Sequence, residues 1–86
     1  MPTDNRPMKV SNTKFYAMVP RAFQKDGVHF LVLEHDSNET GGWFLFYHDT
    51  LSTPCLFDGW YETKEKALDE ALGIGVEKDA WHEFVE

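Results

Sequence analysis

Val28-His29-Phe30-Leu31-Val32-Leu33-Glu34-His35, the polar segment Asp36-Ser37-Asn38-Glu39-Thr40-Gly41-Gly42, and Trp43-Phe44-Leu45-Phe46-Tyr47-His48 together decide the fold. The two outer runs are rich in Val, Leu and aromatic residues, as strands are, and a polar loop ending in two glycines most simply joins them as an antiparallel hairpin. A half-solvated antiparallel strand alternates apolar with polar positions. Phe30 to Leu33 and Trp43 to Tyr47 are instead apolar on both faces, so both faces of this hairpin call for cover.

Upstream, Lys14 to Val19 reads as a strand with Phe15, Ala17 and Val19 on one side and Tyr16 and Met18 on the other. Pro20 has no amide to donate to a ladder, so this strand ends there or lies at a sheet edge. Residues 1–12 mix Pro, Asn, Asp and Ser without periodicity and read as a flexible lead-in to a single domain over 13–86. Downstream, Cys55 to Glu62 reads as a fourth strand, with Asp58-Gly59 a candidate bulge. Thr63 then caps a helix from Lys64, in which Ala67, Leu68, Ala71 and Leu72 recur at helical spacing and Gly73 marks the stop. Lys66 occupies the position where a capping box carries Glu. In the tail, Ala80, Trp81, Phe84 and Val85 fall at i, i+1, i+4 and i+5, which predicts a second, short helix. The expected class is α+β: an antiparallel meander of about four strands, a helix packed on one face and a short C-terminal helix. That tail helix, a second copy of the chain or a foreign partner would cover the other face.

The chain has 86 residues, enough for one core, and its 42% hydrophobic content excludes a disordered acidic tail. Cys55 is the one cysteine, so no intrachain disulfide forms, and a reducing, cytoplasmic setting is expected. No stretch approaches the ~20 apolar residues of a membrane span, so no membrane partner is expected. The net charge is −7, unevenly spread: Arg6, Lys9, Lys14 and Arg21 against Asp4 leave residues 1–24 at +3 and the remainder at −10. An acidic body repels phosphates, so nucleic acid is not an expected partner, whereas a basic protein is.

Four histidines raise the question of a metal. His35 and His48 close opposite ends of the hairpin and cannot share an ion, but antiparallel register brings His29 close to His48, with Asp49 adjacent. His29, His48 and Asp49 are therefore the candidate metal ligands, two imidazoles and a carboxylate being a workable donor set. Cys55 has no motif that makes it a nucleophile, and Gly41, Gly42, Gly73 and Gly75 form no phosphate loop, so no cofactor and no enzymatic activity are expected. Glu65 and Asp69 lie four apart on the helix and repel mildly, a spacing that gives no sign of ion pairing there.

Gly42-Trp43-Phe44-Leu45-Phe46-Tyr47, Pro54-Cys55 and Thr63-Lys64-Glu65-Lys66-Ala67-Leu68-Asp69-Glu70-Ala71 resemble the strand, loop and Thr-capped helix of HicB-type antitoxin domains. The likeness spans about residues 28 to 72 and implies a strand-strand-strand-helix order. It lacks the Gly that those proteins usually place between the Pro and the Cys. The functional expectation is a small, acidic, non-enzymatic interaction module, immunity-, antitoxin- or inhibitor-like. It would bind a protein, basic in character or a second copy, through Trp43, Phe44, Phe46, Trp60, Glu65 and Asp69. The alternative is a small-ligand or metal-binding protein that uses the His29, His48 and Asp49 corner.

Overall fold

Strand β1 spans Val10–Met18, β2 Phe30–His35 and β3 Trp43–His48, followed by β4 at Phe57–Tyr61, helix α1 at Lys64–Leu72 and β5 at His82–Val85. These elements come from a computed structural model that describes residues 10–85. They form one five-stranded antiparallel sheet in the order β4-β3-β2-β1-β5, with α1 on one face. The central hairpin has the expected register, Phe30 opposite His48 and His35 opposite Trp43. β1 starts at Val10, earlier than Lys14, and stops at Met18 before Pro20. The remainder of the expected lead-in, residues 1–9, lies outside the described residues.

Three expectations need correction. The sheet has five strands instead of four, and the tail is strand β5, not a helix. Trp81 packs against the core under α1, while Phe84 meets Tyr16 edge-on with ring centroids 5.1 Å apart. Apolar residues three apart fall on opposite faces of a strand, so a tail that serves both faces of a sheet carries a spacing that mimics a helix. The β3–β4 ladder also runs without a shift through Asp58 and Gly59, so no bulge forms there. Among the described residues the irregularity in register lies in the β1–β5 pairing, between Val10 and Phe15.

The core sits between the sheet and α1. Phe15, Ala17, Leu31, Leu33 and Leu45 project from the strands onto Ala67 and Ala71 of the helix, and Val19, Val28 and Val76 close its end. Leu31, Leu33 and Leu45 are fully buried, each gaining about 1.5–3 kcal/mol from leaving water. The alanines of α1 let the short helix approach closely. Its start is held by Thr63, whose hydroxyl accepts from the Lys66 amide at 3.2 Å, and Gly73 caps its end. Among the described residues no helix is long and apolar enough to cross a membrane.

Candidate functional site

Strand alternation places the residues between the core positions on the opposite face, which α1 leaves uncovered. Cross-strand pairs arrange them in rows. Trp60, Phe44, Glu34 and Lys14 form one row, and Asp58, Phe46, Val32 and Tyr16 the next, extended by His82 opposite Tyr16. His48, Phe30 and Met18 form the third. The rings support one another: Phe44 stacks on Phe46 at 5.4 Å between centroids, and Tyr16 contacts both His82 and Phe84. Lys14 Nζ lies 4.8 Å from the centre of the Phe84 ring. Val32 at the centre is buried by its neighbours, yet Met18 remains 62% and Trp60 46% exposed. A groove of about 290 Å³ crosses this face between Phe84 and the residues Leu51 and Cys55 of the β3–β4 connection.

Charge is sparse here. Lys14 faces Glu34 across β1 and β2, and Asp58 stands near the sheet edge. The helix carries a denser set on the other side of the sheet: Glu65 and Asp69 both approach Lys78 Nζ, each at 3.6 Å, and Glu62 pairs with Lys66 at 3.2 Å. Lys78, distant in sequence, thus bridges the two carboxylates that lie four apart on the helix.

The expected site residues divide between these surfaces. Phe44, Phe46 and Trp60 share the open face. Trp43 belongs to the helix-covered side, where it stacks on His35 at 4.7 Å and lies beneath Lys64 Nζ at 5.4 Å. The open face also includes Tyr16, Met18 and Phe84, which sequence reasoning did not single out. Their signal is the period of two in β1 and the contribution of the tail to the same sheet.

At the hairpin end the backbones of His29 and His48 meet, the His29 amide donating to the His48 carbonyl at 2.9 Å. The side chains separate. His29 Nδ1 donates to Asp49 Oδ1 at 2.9 Å, whereas His48 lies on the open face and donates through Nδ1 to the Thr53 carbonyl at 3.0 Å. The structure brings two of the three candidate metal ligands together and turns the third away. Among the described residues no three His, Cys, Asp or Glu side chains are grouped to hold a metal.

On the helix side, burial pushes the phenol of Tyr47 far above its usual range, and the neighbouring Tyr61 and Glu70 add to the shift. Tyr61 is raised in the same direction, first by burial and then by Glu70, against the opposing effect of the neighbouring Tyr47 hydroxyl.

Comparison with protein-family models, with curated proteins and with solved structures finds no match to this chain.

Proposed function

We propose that this chain is a non-enzymatic protein-interaction module of the immunity, antitoxin or inhibitor kind, whose open aromatic face takes a second copy of the chain. The observation that carries this reading is the uncovered second face, where Tyr16, Phe44, Phe46, Trp60 and Phe84 gather around a buried Val32 without a covering layer among the described residues. Contiguous apolar patches of this kind on water-soluble domains mark interaction sites. Charge favours a like partner. With Lys14 opposed by Glu34, the face is nearly neutral inside a molecule of net charge −7. Two copies packed sheet on sheet, about 10 Å apart, would keep their acidic helices on the outside, away from each other. Glu65 and Asp69 would then remain available to a basic protein partner.

Sedimentation velocity over a concentration series tests the assembly, with Phe46→Glu as the variant because Phe46 lies in the middle of the face. The expected result is a dimer of the native chain that persists in high salt and becomes a folded monomer in Phe46→Glu. A native chain that stays monomeric at high micromolar concentration, or a dimer indifferent to Phe46→Glu, would overturn the reading. Binding of a basic protein through the helix would differ in weakening as salt rises.

A further inference from the structure

Beyond the interaction face, the helix-covered side holds a cleft of about 350 Å³ where β3 and β4 meet the C-terminal end of α1 and the segment 21–28. Phe23 and Phe57 line it, 48% and 49% exposed respectively, large rings left facing water where a core would have absorbed them. Phe57 stacks on Tyr47 at 4.6 Å between centroids, and Tyr61 lines the same cleft. This side of the molecule therefore offers an aromatic wall that carries two phenol hydroxyls. At the low end of the roughly 300–1,000 Å³ typical of ligand pockets, the cleft has room for a single-ring molecule.

Missing side chains set two of the walls. A methyl group on Gly75, which has φ +87°, would lie 2.5 Å from the Phe23 ring, so that ring is seated directly on glycine backbone. A methyl on Gly59 would come within 3.1 Å of the Tyr61 hydroxyl. A side chain at either position would shift the wall.

The electrostatics select the sign of a ligand. Glu70 lines the cleft and has no ion-pair partner among the described residues. The last turn of α1 has no basic residue, so the negative end of the helix dipole adds to the carboxylate. Lys25 and Asp26 also line the cleft with opposite charges, and Lys25 is not within ion-pair distance of Glu70. The Tyr61 hydroxyl can accept from a donor and can donate to a carboxylate.

We propose that this cleft binds a small aromatic amine, its ring held against Phe23 and Phe57 and its ammonium group placed between the Glu70 carboxylate and the Tyr61 hydroxyl. Ring burial supplies the area, and the charge-assisted hydrogen bond orients the molecule and excludes acids of the same shape.

The test is an NMR titration of the full chain with 2-phenylethylamine, alongside 3-phenylpropionate as an acid of similar size. Saturable shifts at Phe23, Tyr47, Phe57 and Tyr61 are expected with the amine and none with the acid. Glu70→Gln, an exposed and fold-neutral change, should weaken amine binding at least ~10-fold, and Tyr61→Phe should weaken it less. The proposal is overturned if the amine produces no saturable shifts, if its shifts map elsewhere, if the acid binds equally well, or if Glu70→Gln has no effect. Dimerisation through the opposite face has no bearing on any of these outcomes.

Discussion

A methyl group added to Gly42 would lie 2.3 Å from Cζ2 of Trp60: the indole of β4 rests on the backbone that enters β3. The same indole donates to Thr40 Oγ1 at 2.9 Å, and Thr40 in turn donates to Asp36 Oδ2 at 2.8 Å. The polar 36–42 loop is thereby tied to the sheet edge. Gly42→Ala should cost about 1–3 kcal/mol through overpacking and displace Trp60, measured by chemical denaturation and by a change in tryptophan emission.

Tyr47 and Tyr61 make stability depend on alkaline pH. Both phenols ionise later in the folded chain than in the unfolded one, whose value is about 10. Below that pH both states are protonated and stability is unaffected. Above it the unfolded chain loses protons that the folded chain keeps, so stability falls as pH rises. Denaturation midpoints measured from pH 8 upward should decline past about pH 10, and Tyr47→Phe combined with Tyr61→Phe should flatten that decline.

Lys78→Ala removes the cation shared by Glu65 and Asp69. All three side chains are exposed, so the loss should be no more than about 0.5–1 kcal/mol and should shrink as salt is added. A loss of several kcal/mol that is independent of salt would mean that the lysine stem, and not its charge, supports the helix.

Thr63→Ala deletes the hydroxyl that accepts from the Lys66 amide. With Lys in place of a capping Glu, no reciprocal bond compensates, and a cost of about 1 kcal/mol is expected in thermal or chemical unfolding.

Leu31→Ala opens a cavity under α1 at a fully buried position and should cost about 2–5 kcal/mol. By contrast, Phe44→Ala on the open face should cost the isolated chain less, because its ring is only partly buried. Comparing the two by chemical denaturation at low protein concentration separates core packing from surface packing.

The central hairpin, the edges of α1 and the inward positions of β1 were all legible, because each has a local cause: strand composition around a glycine turn, a Thr cap, a period of two. The backbone approach of His29 and His48 followed from register as well. The direction of their side chains required the exact pairing, since a shift of one residue exchanges the faces, and Phe30 opposite His48 sends His29 and His48 to opposite sides. The tail was misread because Trp81 and Phe84 serve two different faces. The amine cleft left no local trace, since Phe23, Phe57 and Glu70 come from three distant segments that only the tertiary fold brings together.

Strand β5 finds its place beside β1, although every other neighbouring pair in the sheet is consecutive along the chain. β1 to β4 and α1 can therefore assemble through short closures, while the final strand must close nearly the whole chain. Until it does, β1 presents an unpaired edge, and the β5 of a neighbouring molecule can fill it as well as its own. Strand exchange between molecules is thus the characteristic misassembly of this topology, favoured by refolding at high concentration.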